Sequence, residues 1–164
     1  MFKVRVLTPA YLLSGEVEEN TAFLGWLNNK DKVTLDLHEV EGLVLDPHSS
    51  LPATAARLVT LAKSQVVGIE MVSPEAQRTI KVGERAELAV LYTARFVIQA
   101  YLHPPGEMPI GHIPNVVKSN FVPATRVKLH PLLPTRQLPS LESNLMIFNW
   151  LHIDFYHAQS MKGV

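Results

Sequence analysis

The sequence predicts a mainly β protein that consists of two related units with a pseudo-twofold relation and only short helical turns. Apolar and polar residues alternate along many short segments, as they do in strands that bury one face. No segment has the periodicity of a long helix, and most of the 12 prolines stand between the strand-like segments, where they do not interrupt a hydrogen-bonded ladder. The third observation is an internal repeat, which predicts the two units.

The repeat is anchored near both ends of each unit. VRVL at 4–7 matches LAVL at 88–91, and VVGIEMV at 66–72 matches WLHIDFY at 150–156, both at an offset of 84 residues (88 − 4 and 150 − 66). Further pairs lie between these anchors at slightly larger offsets: YLLSGEV (11–17) with FVIQAYL (96–102), LGWLN (24–28) with IGHIP (110–114), and LDLHEV (35–40) with VPATRV (122–127). A repeat of this length indicates two small related domains or one duplicated domain.

The repeat also sets the expected domain boundaries. We place the first unit at 1–77, a linker at 78–84 and the second unit at 85–159. The last five residues, 160–164, are expected to fray, as chain ends commonly do.

In the first unit, strand-like segments are predicted at 2–7, 11–17, 33–45 and 58–72. The last of these is expected to bend near Lys63 and to form two strands. The apolar residues of 20–29 have the spacing of one helical turn. Residues 46–56 are rich in turn-forming and small residues, which predicts a loop.

The second unit repeats this order. Strands are predicted at 88–91, 96–102, 121–129 and 145–156. A proline-punctuated stretch at 108–117 is expected to replace the helical turn, and the prolines of 130–140 exclude a central strand there.

The composition indicates a globular protein that carries few charges. Hydrophobic residues make up 47% of the 164 residues and charged residues 18%, against roughly 25% charged residues in average soluble domains. We interpret the shortage of charge as a sign of self-association. Residues 1–84 hold 8 Lys/Arg and 11 Asp/Glu (8 − 11 = −3), and residues 85–164 hold 7 and 4 (7 − 4 = +3). Such halves attract each other within a chain or between chains. The net charge of the whole chain is zero, unlike that of the strongly basic proteins that bind nucleic acids non-specifically.

Several classes of site and location are disfavoured by what the sequence lacks. It contains no cysteine, which excludes disulfides, thiol catalysis and thiolate metal sites. The first residues lack the basic start, apolar run and cleavage site of a signal peptide. No run of about 18 apolar residues predicts a membrane span. We therefore expect a cytoplasmic protein without a membrane partner.

Two segments of the first unit resemble motifs of the Sm-like proteins, including uncharacterised bacterial members. Gly15 follows an apolar strand and precedes VTLDLHEVE at 33–41, which is similar to the first Sm motif. KSQVVGI at 63–69 is similar to the second motif, in which a basic residue and a glycine precede an apolar strand. Ser64 stands where the family usually has glycine, and Phe148-Asn149 stands at the corresponding place of the second unit.

The resemblance implies that each unit is a small bent β-barrel. Sm-like barrels join by pairing the edge strands of neighbours, so it also implies a homo-oligomer. Many members bind RNA. If this function carries over, Lys63 matches the basic residue of the second motif, and Asn28 or Asn29 corresponds to the asparagine that contacts bases. Their spacing to Val33 is longer than in the family.

The histidines and carboxylates do not form a catalytic or metal-binding motif. His152, Asp154 and Tyr156 alternate along a predicted strand and would share a face, which we interpret as solvated surface. His-x-His and His-Glu-x-x-His spacings and glycine-rich phosphate loops are absent from the sequence. The sequence therefore predicts no catalytic, metal or cofactor site and no enzyme.

The function that we expect is that of a non-enzymatic Sm-like protein that self-assembles through strand edges. The first alternative is an RNA-binding Sm-like module that uses Asn28, Asn29 and Lys63. The second is a small-molecule or signalling receptor domain with a pocket between the two units, which requires an enclosed apolar cavity with a few polar groups.

Overall fold

The computed structural model describes residues 1–159, and the predicted tail at 160–164 lies outside the described residues. The fold is mainly β, with 47% strand and 14% helix, as the alternation predicted. The ten strands are β1 (Phe2–Leu7), β2 (Tyr11–Val17), β3 (Thr34–Val44), β4 (Ala53–Ala62), β5 (Gly68–Met71), β6 (Glu87–Tyr92), β7 (Phe96–Leu102), β8 (Phe121–Pro131), β9 (Glu142–Asn149) and β10 (Phe155–Ala158).

The helical elements are short. They are α1 (Phe23–Leu27), α2 (Pro74–Arg78), α3 (Ile113–Val116) and 3₁₀ turns at Lys63–Gln65, Ile110–His112 and Trp150–His152. In the part of the chain from 1 to 159, no helix has the length and apolar character needed to pass through a membrane.

All ten strands form one antiparallel sheet, and its two halves have the same strand order. The order across the sheet is β10-β6-β7-β8-β9-β5-β1-β2-β3-β4. The first half contributes β5-β1-β2-β3-β4 and the second half β10-β6-β7-β8-β9. In each half, the last strand in chain order lies beside the first, and the second, third and fourth strands follow. The halves are joined where β5 pairs with β9, with Ile69 opposite Ile147.

Each half turns from its first to its second strand at a corner stabilised by threonine. The Thr8 amide donates to the Tyr11 carbonyl at 2.9 Å, and the Tyr11 amide donates to Thr8 Oγ1 at 2.9 Å. In the second half, the Thr93 amide donates to the Phe96 carbonyl at 2.9 Å, and the Phe96 amide donates to Thr93 Oγ1 at 3.0 Å. The two corners are 85 residues apart (93 − 8).

Both halves also contain a bulge where the second strand meets the third. The register shifts around Gly15 in the first half and around Ala100 in the second. The third strand has one non-glycine residue at positive φ in each half, Glu39 at 47° and Arg126 at 50°. A Cβ at Gly15 would lie 2.9 Å from the carbonyl oxygen of His38. The glycine of the proposed Sm motif is therefore required by the close approach of two backbones.

The structure changes the sequence alignment of the halves only at the end of the repeat. Strands β3 and β8 begin 87 residues apart (121 − 34), as the match of 35–40 with 122–127 predicted. The 3₁₀ turns that begin at Lys63 and Trp150 are also 87 residues apart (150 − 63). The predicted offset of 84 is therefore wrong by three residues at this end of the repeat. The counterpart of β5 is β10, because each pairs with the first strand of its own half. Trp150 consequently corresponds to Lys63 and not to Val66.

The halves meet head to tail without forming a closed twofold arrangement, and the predicted pseudo-twofold relation stays a prediction. The halves meet through unlike strands, the fifth of the first half and the fourth of the second. A closed twofold arrangement would also pair β10 with β4. These two strands lie at opposite edges of the sheet.

Three local expectations were wrong. The predicted loop at 46–56 ends earlier, because β4 begins at Ala53. The segment 108–117 keeps a helical element, because Pro114 lies at the start of α3, where a missing amide hydrogen costs little. His152 lies in a 3₁₀ turn, and the last strand begins only at Phe155. His152, Asp154 and Tyr156 therefore do not alternate along one strand.

Buried apolar residues form two clusters, and each cluster draws on both halves of the chain. The first is centred on the first half and also contains Phe121, Leu145 and Ile147. The second is centred on the second half and includes Leu45 and Val67. The junction is thus packed as well as hydrogen-bonded, and the division into units at 1–77 and 85–159 stays a prediction.

Replacing Ile69 with alanine tests the packing at the junction. Ile69 is 0% exposed, so Ile69→Ala should lower the free energy of unfolding by about 2–5 kcal/mol, because the lost methyl groups leave a cavity. Leu51→Ala is the control, since Leu51 is 60% exposed and should change stability by less than about 0.5 kcal/mol. Urea unfolding followed by tryptophan fluorescence measures both, and equal losses would contradict the packing described above.

Candidate functional site at the junction and the sheet edges

Lys63 is buried, and its ammonium group closes the C-terminal end of α1. The residue is 6% exposed. Its Nζ donates to the carbonyl oxygens of Trp26 and Leu27 at 3.0 Å each, and to that of Asn29 at 3.3 Å. Nζ also lies 4.5 Å from the centroid of the Trp26 ring. Carbonyls at a helix end lack the amide of a following helical turn. Lys63 supplies a donor to the Leu27 carbonyl and a second donor to those of Trp26 and Asn29, which also accept backbone amides.

Burial affects the protonation of this lysine. Desolvation, with the Lys32 ammonium as a smaller cause, lowers the pKa of Lys63 below the ordinary value of 10.5. The folded chain therefore releases this proton at a lower pH than the unfolded chain. As pH rises through that interval, the unfolded state holds more protons than the folded state, so the contribution of Lys63 to stability increases.

Asn28 connects the two halves of the chain. Its Nδ2 donates to the carbonyl oxygen of Phe121 at 3.0 Å, and its Oδ1 accepts from the amide of Phe121 at 2.9 Å. Phe121 is the first residue of β8 and lies beyond Ala124, the last β8 residue that pairs with β7. The Asn28 amide therefore occupies backbone groups that β7 does not reach. We call this pair of hydrogen bonds the amide clasp.

Asn29 lies at the surface beside these two residues. Its Oδ1 accepts from the amide of Asp31 at 2.9 Å, and its carbonyl oxygen is one of the three bound by Lys63. The structure thus brings the three predicted RNA-binding residues together after α1. However, Lys63 and Asn28 direct their polar atoms to the protein backbone, so this placement gives RNA binding no support, and that role stays a prediction.

Asn149 is a buried residue that hydrogen-bonds across the junction, and the sequence reasoning missed this role. It is 1% exposed, and its Nδ2 donates to the carbonyl oxygens of Lys63 at 3.3 Å and Val66 at 3.0 Å. Its Oδ1 accepts from the amide of Leu151 at 3.1 Å. The signal in the sequence was a single polar residue within the apolar run LMIFNWL at 145–151, because a buried amide must find partners.

The two outer strands of the sheet are exposed, whereas their counterparts at the junction are buried. In β9, Leu145–Asn149 are all buried, but no residue of the corresponding strand β4 is. In β5, three of the four residues are buried, but none of β10 is. Large apolar side chains are exposed at or beside both edges: Val33 (69%), Leu58 (54%), Leu151 (66%) and Phe155 (60%).

A cleft lies beside the β4 edge, where β3 extends beyond β2. Its volume is about 460 Å³. Apolar side chains and charged groups both line it, among them Phe23, Trp26, Leu58, Glu18 and Asp36. We call it the α1 cleft. Thr34, the counterpart of Phe121, is one of its lining residues.

The cavities between the two halves do not favour the receptor alternative. Two narrow ones measure about 20 and 100 Å³, below the roughly 300 Å³ at which ligand pockets usually begin. Two wider grooves of about 350 and 490 Å³ are shallow, and the first carries Glu70, Arg126 and Glu142 on its walls. Within residues 1–159, no group of three or more His, Asp or Glu side chains is placed to hold a metal ion.

Comparison of the chain with models of known protein families, with curated proteins and with solved structures gave no match. The geometry of the junction and of the sheet edges is therefore the basis for a proposed function.

Replacing Lys63 with methionine tests its role at the end of α1. Lys63→Met should lower the free energy of unfolding by about 1–3 kcal/mol, because the Leu27 carbonyl loses its donor and the carbonyls of Trp26 and Asn29 each lose one of two donors. Lys32→Met, at an exposed position nearby, is the matched control and should change stability by less than about 0.5 kcal/mol. Chemical denaturation of both variants decides the matter, and an unchanged Lys63→Met variant would contradict the capping role.

Because the pKa of Lys63 is lowered, the difference in free energy of unfolding between the native chain and Lys63→Met should depend on pH. As the pH is raised towards 10.5, the stability of the native chain should increase relative to that of Lys63→Met. Urea unfolding of both proteins at a series of alkaline pH values measures this difference. A difference that stays constant or shrinks would show that the pKa is not lowered.

Proposed function

We propose that the protein is a non-enzymatic Sm-like scaffold whose two bent-barrel units self-assemble, copy to copy, through the outer strands of the sheet. In this assembly, β10 of one copy pairs with β4 of the next. The in-chain pairing of β5 with β9 is the precedent, because β10 corresponds to β5 and β4 to β9.

The observation that supports this proposal most strongly is the contrast in burial between equivalent strands. Leu145 is 5% exposed at the junction, and its counterpart Leu58 on β4 is 54% exposed; they stand 87 residues apart (145 − 58). An outer strand presents unpaired N–H and C=O groups, and here it also presents apolar side chains. Pairing with a second copy would give the backbone groups hydrogen-bond partners and would bury the apolar side chains.

The β4 edge is more polar than the equivalent surface at the junction. Ile147 of β9 corresponds to Thr60 of β4, and Phe121 of β8 corresponds to Thr34 of β3. Arg57 adds a charge to the edge strand, a common means of limiting uncontrolled pairing. We therefore expect association that depends on concentration.

The Sm-like assignment has its own support in the placement of the two motifs. Gly15 lies in the bulge that bends the first half, and the segment 63–69 contains the 3₁₀ turn and the start of β5. Both are positions where the backbone changes direction, as in a bent barrel.

Sedimentation velocity over a range of protein concentrations tests the self-assembly. The native chain should show species at multiples of 18.3 kDa. Leu58→Lys should shift the distribution to the monomer, because a charge on the edge strand opposes pairing. Leu51→Lys, which alters an equally exposed leucine before β4, should assemble like the native chain. A single 18.3 kDa species at every concentration would contradict the proposal.

A further inference from the structure

We infer that Asn115 makes a second amide clasp, between one copy of the chain and the next; this inference rests on the proposed self-assembly. The clasp docks the segment 112–118 of one copy into the α1 cleft of the next and sets the register between copies. The partner of the α1 cleft is thus a second copy of this chain.

The position of Asn115 relative to the strands is the first reason. Asn28 stands six residues before β3 begins (34 − 28), and Asn115 stands six residues before β8 begins (121 − 115). Both asparagines lie in or directly after a short helix. Asn28 makes the clasp across the junction, whereas Asn115 is exposed at the other end of the molecule.

The backbone that Asn115 would clasp is the second reason. Asn28 binds the N–H and C=O groups of Phe121, whose counterpart in the first half is Thr34. Thr34 is exposed and lies beyond His38, the last β3 residue that pairs with β2. The same two backbone groups are therefore presented at the edge of the sheet as at the junction.

The composition of the two surfaces is the third reason. The α1 cleft contains the carboxylates Glu18, Glu19 and Asp36, the single ammonium of Lys32, and the apolar side chains of Phe23 and Leu58. The segment 112–118 carries the exposed Lys118 and a 58% exposed Val116 beside Asn115. A cationic and apolar segment thus faces an acidic and apolar cleft, in agreement with the −3 and +3 charges of the halves.

The in-chain junction also specifies the register between copies. It pairs Gly68 with Phe148 and Glu70 with Met146. Adding 87 to the number of a β5 residue gives its counterpart on β10, and subtracting 87 from that of a β9 residue gives its counterpart on β4. The pair Gly68–Phe148 therefore predicts that Phe155 pairs with Leu61 of the next copy (68 + 87, 148 − 87). In the same way, His157 pairs with Val59 of the next copy (70 + 87, 146 − 87).

Cysteine cross-linking tests this register directly, because the chain has no cysteine of its own. Two single variants, His157→Cys and Val59→Cys, are mixed and oxidised, and non-reducing electrophoresis should show a cross-linked dimer. Each variant oxidised alone should give less than about one tenth of that dimer, since head-to-tail pairing does not bring like positions together. Mixing His157→Cys with Leu58→Cys is the control, because a shift of one residue turns the side chain to the other face.

The clasp is tested by Asn115→Ala. The dissociation constant between copies, measured by sedimentation equilibrium, should rise about tenfold through the loss of two hydrogen bonds. Asn144→Ala is the matched control, since Asn144 is an exposed asparagine on β9, and it should leave the constant within twofold.

The outcomes separate the two proposals. A monomer at every concentration overturns self-assembly and the clasp together. Assembly with strong cross-linking of a single variant alone, or with no cross-link in the mixture, overturns the head-to-tail pairing of β10 with β4 and the clasp with it, and leaves self-assembly standing. Assembly in which Asn115→Ala binds like the native chain overturns only the clasp.

Discussion

The pairing of β5 with β9 is the constraint on which the rest of the structure depends. Each half alone would have two open strands, and the backbone groups of an open strand need partners. By joining the fifth strand of one half to the fourth of the other, the chain satisfies one pair of edges. The apolar clusters then extend across the joint, since Ile147 packs with the first cluster and Val67 with the second.

Two polar side chains keep this joint in register. Asn28 is half-buried and Asn149 is buried, and each binds backbone atoms of the other half. A buried amide without partners is costly, so a sheet slipped by one or two residues would leave these groups unsatisfied. The apolar contacts supply most of the stability, and these side chains select one arrangement among several that would bury similar areas.

The sequence predicted the fold class and most of the strands, because alternation depends only on which face of a strand is buried. It also predicted the turn at Lys63–Gln65 and the helical turn that became α1. The offset at the end of the repeat was wrong, because two short apolar segments, β5 and 150–156, matched by hydrophobicity alone. Only strand pairing distinguishes the true counterpart.

The candidate site was less accessible to sequence reasoning for a different reason. The sequence singled out Lys63 and Asn28 through their resemblance to RNA-binding positions, and it did not reveal that their polar atoms bind the protein backbone. Whether a lysine faces solvent or three carbonyls depends on where α1 ends, more than thirty residues away in the chain. The sequence alignment placed Asn28 opposite Pro114, and the correspondence of Asn28 with Asn115 appeared only from their equal distances to β3 and β8.

The unlike strands at the two edges give the molecule a direction. One edge ends in β4 and the other in β10, so in the proposed assembly a row of copies would have a free β4 at one terminus, the acceptor, and a free β10 at the other, the donor. A shortened chain that ends before Phe155 keeps its acceptor and loses its donor. Such a fragment would act as a chain terminator, and a small excess of it would keep a filament or ring from growing to full size.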